Sequence, residues 1–161
     1  SCGVLKYFGT KKSSLFGRML CNRFTGTELL NIDLNKHTQK HLLRASQEGI
    51  AFAFKYGIDI MSGIGLKPKT VRAGHANLFL SPLFTKTLAT IADVTIELYN
   101  TDGSQGAARG AALGAGLYKS PQEAFGNLTK VSIVLPDNSI KGVLNNAYAK
   151  WRDALERALV N

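Results

Sequence analysis

Cysteine is scarce: Cys2 and Cys21 are the only two in 161 residues. A disulfide framework or a zinc site needs more thiols or imidazoles at closer spacing, so both are set aside and a reducing, cytoplasmic setting is expected. Long apolar runs are lacking as well. The most apolar stretch, 49–66, is interrupted by Lys55 and Asp59, which excludes a membrane span. No secretory signal pattern opens the chain, and its start at Ser1 rather than Met leads us to expect a piece of a longer protein. Several catalytic signatures are absent: GxxxxGK(S/T) of phosphate-binding loops, GxGxxG of dinucleotide folds, the HExxH zinc motif and the GxSxG elbow of hydrolases. His37 and His41 stand at i, i+4, a spacing metals use, but with no third ligand nearby they read as surface residues.

Acidic residues are few beside basic ones, 11 against 20, for a net charge of +9. That balance favours an anionic partner, whether nucleic acid, acidic lipid or phosphate. Yet the basic residues are spread from Lys6 to Arg157, only Lys11-Lys12 is consecutive, and no aromatic-rich basic stripe occurs. The charge is therefore read as a solvated surface ahead of a nucleic-acid face. With 45% apolar and 19% charged residues, the chain is expected to form one globular domain with a proper core.

The pattern divides into an irregular arm over 1–35 with a short strand at 4–8, an α/β core over 36–135, and a C-terminal helix over 136–161. The spacing predicts a long helix over 36–64. Leu43, Ile50, Phe54 and Met61 lie on one of its faces, with Gly49, Ala53 and Gly57 forming a ridge without bulk. Glu48 falls on the polar stripe of this helix and is read as solvated rather than catalytic. Strands are predicted at 70–73, 94–99 and 131–135. Between the first two, Ser81-Pro82 opens a helix with Leu83, Phe84, Leu88 and Ile91 inward, since a hydroxyl caps the free N–H groups and proline at the first position loses no bond. Ser120-Pro121-Gln122-Glu123 reads as a capping box. The final helix is expected to bury Leu144, Tyr148, Trp151, Leu155 and Leu159. Strands alternating with helices point to a layered α/β fold with parallel strands.

In such sheets ligands sit beyond the carboxyl ends of the strands. Two segments reach that position. In the first, 72–84, Gly74 directly follows a strand and would let a flat ligand lie against bare backbone, while His75 and Asn77 offer hydrogen bonds. A plain strand-to-helix turn accounts for the same residues equally well. In the second, 100–116, Gly106, Gly110 and Gly114 recur every four residues with Ala107, Ala111 and Ala115 beside them. Close packing of this helix on a sheet is the favoured reading.

The blocks HLLRASQEGIAFAFKYGIDIM, VRAGHANLFLSPLFTKTLA and GAARGAALGAGLY stand in the order and spacing of carbohydrate kinases of the FGGY family, and the chain resembles that family over about 4–137. Family members read RA-x-x-EG-x-AF and A-x-GAA-x-x-A where this sequence has Arg44-Ala45, Glu48-Gly49, Ala51-Phe52, then Ala108, Gly110-Ala111-Ala112 and Ala115. The resemblance implies an α/β, ribonuclease H-like C-terminal domain of the actin and hexokinase superfamily, with an incomplete mixed sheet and flanking helices. It implies ATP and Mg²⁺ as cofactors, with adenosine contact at Gly74, His75, Ala76 and Asn77, and packing beside that pocket by Gly110 and Ala111. The sugar, a ketopentose such as xylulose, would reach the site through an N-terminal domain. That domain, the family's Thr-Gly-Thr phosphate hairpin and its catalytic Asp would all lie upstream of this chain, which alone is expected to be inactive. Two departures stand out: the family loop reads Gly-Gly-Gly or Gly-Gly-Ala where this chain has Ala73-Gly74-His75, and the loop before Ser81 is longer. A sheet edge left open by the missing strands would recruit a second copy, so a homodimer is expected. The other readings are a basic nucleic-acid-binding module and a non-catalytic actin-like scaffold.

Overall fold

The structure is a computed structural model that describes residues 4–7 and 27–160. Cys2, Cys21 and the Lys11-Lys12 pair lie outside the described residues. Strand β1, Val4–Tyr7, pairs antiparallel with β2, Thr27–Leu30, the latter not anticipated from the sequence. The long helix α1, Gln39–Gly63, follows, then β3, Thr70–Gly74, a 3₁₀ turn at Asn77–Leu80, and α2, Pro82–Ala92. After β4, Thr95–Tyr99, come α3, Gly103–Gly114, and α4, Pro121–Phe125. Strand β5, Lys130–Val134, and α5, Asn138–Val160, complete the chain.

Strands β3, β4 and β5 form one sheet in that order. Strands β3 and β4 are parallel, as the intervening helix requires, and β5 runs antiparallel to β4, so the parallel reading of the pattern holds for the first pair and the sheet is mixed, as the resemblance implied. The reason lies in the connection. Both α3 and α4 are spent beyond the end where β4 leaves the sheet, and the Asn100 N–H donates to the Thr129 carbonyl at 3.0 Å, bringing the chain back to that same end. A strand entering there can only run the other way.

Helices start where the side chains supply acceptors. The Ser81 hydroxyl accepts from the Phe84 N–H at 3.3 Å, and Ser120 accepts from the Glu123 N–H at 3.2 Å. The Glu123 carboxylate reaches back to the Lys119 N–H at 2.7 Å, one residue before the position a standard capping box would use. Ahead of α1, the two imidazoles take up backbone donors: His37 Nδ1 accepts from the Asp33 N–H and His41 Nδ1 from the Thr38 N–H. Both contacts are local caps, within four residues of the ring that accepts them.

The core lies to one side of the sheet and has two parts. Phe84, Leu88 and Ala89 of α2 meet Ala51 of α1 and the inward residues Val94, Ile96 and Leu98 around β4. Beyond them Phe52, Ala53 and Ile91 pack on Leu144, Tyr148, Trp151 and Leu155 of α5, matching the predicted buried stripe, with Leu159 partly covered. Trp151 stacks on Tyr148 at 5.9 Å between ring centroids and meets Phe52 edge-on at 6.3 Å. Gly49 and Ala53 are buried, so the small ridge of α1 does admit close neighbours. Leu43 and Met61, on the apolar face read from the spacing, are exposed. A buried hydroxyl ties the halves together: Thr90 Oγ1 donates to the Lys86 carbonyl and accepts from the Asp137 N–H at 3.0 Å, fixing the start of α5 against α2.

Candidate functional site

Alternation along β3 sorts its side chains. Val71 and Ala73 join the core beneath the sheet, while Arg72 and Gly74 lie on the opposite face, across from Glu97 and Tyr99 of β4. That second face carries a cleft of about 550 Å³, lined by Arg72, Ala73, Gly74, Tyr99, Thr101, Pro121, Gln122, Phe125 and Leu128. It opens at the carboxyl ends of the two parallel strands, where ligands of α/β sheets are found. Helix α4 supplies one wall, apolar except for Gln122.

Gly74 is held there by a close approach. A Cβ on it would lie 2.3 Å from the Thr101 carbonyl oxygen and 3.2 Å from Asp102 Cα, so only glycine fits beneath this turn. The bare side of the residue thus faces the chain's own main chain at Thr101, and the cleft opens beside it. The His75 N–H donates to the Tyr99 carbonyl at 2.8 Å, and the Ala76 N–H to the Gly74 carbonyl at 2.9 Å, so both backbones are spent on shaping the loop. The side chains of His75 and Asn77 are exposed, and Asn77 adopts a left-handed φ of 52°. Of the four predicted adenosine contacts, Gly74 lines the cleft; His75, Ala76 and Asn77 follow it in the chain and are not among the lining residues.

Gly110 and Ala111 stand apart. Both are exposed, neither lines the cleft, and a Cβ on Gly110 would meet nothing within 4 Å. A Cβ on Gly106 or Gly114 would likewise meet nothing within 4 Å, and α3 has no buried residue, which corrects the expected packing of this helix on the sheet. Its first turn is nevertheless part of the site, because Thr101 and Asp102 lead into it over Gly74. Asp102 caps that turn: its carboxylate accepts from the Gln105 N–H at 2.8 Å and the Ser104 hydroxyl at 2.6 Å, which hold it below the usual carboxylate range. Arg109 Nη1 donates to Thr101 Oγ1 at 3.2 Å, steadying the same turn from within α3.

A charged cluster that sequence reasoning missed adjoins the cleft, with Arg72 and Tyr99 in its lining. Glu97 accepts from Lys130 Nζ at 2.5 Å, from the Tyr99 hydroxyl at 2.9 Å and from Arg72 Nε at 3.0 Å. These donors, Lys130 first, hold the Glu97 carboxyl down to about 2. Arg72 and Lys130 come from different strands, 58 residues apart, and only the sheet register brings them to one carboxylate. Alternation within β3 and β4 could have placed Arg72, Glu97 and Tyr99 on the polar face, but not Lys130, which falls just outside the predicted strand 131–135 and meets Glu97 only through the antiparallel pairing of β5. Among the described residues no group of three His, Cys, Asp or Glu side chains could hold a metal ion, and no helix is long and apolar enough to cross a membrane.

No family model and no curated protein matches the chain. Solved structures do. The chain is similar to a xylulose kinase from Rhodospirillum rubrum, with a TM-score of 0.72 and 20% identity over 99% of this chain and 32% of that one. It is similar to a gluconate kinase from Lactobacillus acidophilus, with a TM-score of 0.65 and 16% identity, over 83% of this chain and 27% of the kinase. A glycerol kinase from Plasmodium falciparum, solved with ADP, gives a TM-score of 0.59 and 20% identity over 84% and 27% of the two chains. The chain thus spans about a third or less of the length of these enzymes, and at such identities the likeness is one of fold: a mixed α/β arrangement shared with part of sugar kinases.

Proposed function

We propose, from that shared fold and the cleft at its strand ends, that this chain is the nucleotide-binding, C-terminal part of an FGGY-type carbohydrate kinase with ribonuclease H-like architecture. The observation that carries the reading is the placement of Gly74 in the wall of an apolar-sided cleft beyond two parallel strands, where a nucleoside can lie along the chain. Tyr99, Phe125 and Leu128 offer the flat apolar surface a purine needs, and the loop Gly74-His75-Ala76-Asn77 supplies the adenosine contacts. Gly110 and Ala111 belong to this reading as a helix face for neighbouring parts of the whole enzyme to cover.

In the whole protein ATP would donate its terminal phosphoryl group to a sugar hydroxyl, a ketopentose such as xylulose being the substrate assigned here. Such transfer rests on positioning and charge neutralisation, with a base to accept the hydroxyl proton. Mg²⁺ accompanying a nucleotide is held mostly by phosphates and water with one or two carboxylates, and no carboxylate of the described residues lines the cleft. No step is therefore assigned to the ion on this chain. The isolated chain is accordingly proposed to bind nucleotide without turning over sugar, to work in the cytoplasm, and to self-associate through open strand edges.

Ligand-observed NMR tests the central claim. ATP and adenosine at millimolar concentration should show saturation transfer from the chain, weakened by Gly74→Val. Absence of transfer would remove the nucleotide assignment. ATP consumption above the blank with xylulose would contradict the proposed inactivity, and a monomer by light scattering the proposed dimer.

A further inference from the structure

The cleft holds a cation whose hydrogen-bonding fork is only partly used. Arg72 enters it from β3, and its Nε is tied to Glu97 Oε2 at 3.0 Å. No hydrogen bond among the described residues involves its Nη1 or Nη2, and its side chain is 74% exposed. Glu97, by contrast, is 15% exposed and accepts from three donors at once. The carboxylate therefore serves as an anchor. It orients the guanidinium by one edge and leaves the other edge turned to the open side of the sheet.

A guanidinium so held is the donor set that matches a phosphate, because two nearly parallel N–H groups meet two oxygens of one anion. Charge agrees: one carboxylate stands against the two cations Arg72 and Lys130, leaving the cluster positive. The other anion acceptor in reach is closed. The first turn of α3 already has the Asp102 carboxylate on its Gln105 N–H, so a phosphate arriving there would meet a negative charge in place of free donors.

Spacing along β3 completes the argument. Arg72 and Gly74 are two residues apart on the same face, about 6–7 Å by strand rise. A nucleoside seated against Gly74 thus has a cation one ribose length away in the cleft lining. We propose that Arg72, positioned by Glu97, grips a phosphate of the nucleotide bound in this cleft, a contact made by this chain itself and built on the nucleotide-binding reading above.

The test compares adenosine, AMP and inorganic phosphate by NMR titration of the chain, the Arg72→Gln variant and the Glu97→Gln variant. AMP should bind the parent chain about tenfold tighter than adenosine, a gain in the range of a charge-assisted contact. Arg72→Gln should erase that difference, and Glu97→Gln should reduce it. Arg72→Lys, keeping the charge without the fork, should recover part of the gain. Equal affinity for AMP and adenosine in the parent chain overturns the proposal while leaving the nucleotide site standing, as does an Arg72→Gln variant that weakens both alike. Inorganic phosphate binding as tightly as AMP assigns the anion site to free phosphate and also overturns it. Failure of adenosine itself to bind removes the nucleotide reading and this contact with it.

Discussion

The two faces of the three-stranded sheet are built from alternate residues of the same strands, yet they do different work. The face carrying Val71, Ala73, Ile96 and Leu98 is covered by α1 and α2 and holds the fold together by excluding water. The face carrying Arg72, Gly74, Glu97 and Tyr99 has α4 at its edge and keeps a cleft, a charge cluster and a glycine that admits no side chain. One face is made of interchangeable apolar volume; the other depends on particular groups at particular heights along the strands. A change on the first should cost stability, and a change on the second should cost geometry or charge.

The largest expected effect is on the packed face. Phe84 is fully buried between Phe54 and Phe79, and Phe84→Ala should lower the unfolding free energy by about 3–5 kcal/mol, read from urea midpoints. A loss below about 1 kcal/mol would mean this face is not a close-packed core. On the open face, Gly74→Ala forces a Cβ against the Thr101 carbonyl and should cost about 1–3 kcal/mol, with weaker adenosine binding as the accompanying sign. Ser81→Ala removes a single cap at the start of α2 and should cost about 1 kcal/mol without touching the cleft.

The comparison sharpens most with a second glycine. Gly110 lies mid-helix in α3 with nothing within 4 Å of its would-be Cβ, so Gly110→Ala should raise stability by about 0.5–1 kcal/mol, opposite in sign to Gly74→Ala. A loss instead would show that α3 has a close neighbour in solution. The smallest effect is that of acid. Because the folded Glu97 carboxyl is held at about 2 against an ordinary 4.5, its contribution is complete above about pH 4.5 and fades as the pH falls toward 2. Glu97→Gln should flatten that part of the stability curve, measured by chemical unfolding at about pH 5.5 and about pH 3.

Much of the packed face was legible beforehand. The i, i+3, i+4 spacing of Leu144, Tyr148, Trp151 and Leu155 named the buried stripe of α5, and Ser81-Pro82 marked the start of α2 within one residue. The misreadings share a cause. The Gly/Ala repeat of α3 gives a face without bulk, and such a face suits close packing equally well whether or not a partner is present; here it has none among the described residues. The direction of β5 depended on where α3 and α4 deposit the chain, which no local pattern records. Gly74 was singled out as a place where a flat ligand could lie against bare backbone, whereas the body on its bare side is the Thr101 main chain.

By itself the sequence determined the helices, their caps, the apolar stripes and the position of Gly74 after a strand, because each rests on residues within a turn or two of one another. Tertiary structure decided the antiparallel β5, the meeting of Arg72, Lys130 and Tyr99 on Glu97, and the cleft walled by α4. Those depend on which strands become neighbours and in what register, and pairing across tens of residues is set by how the layers close over one core.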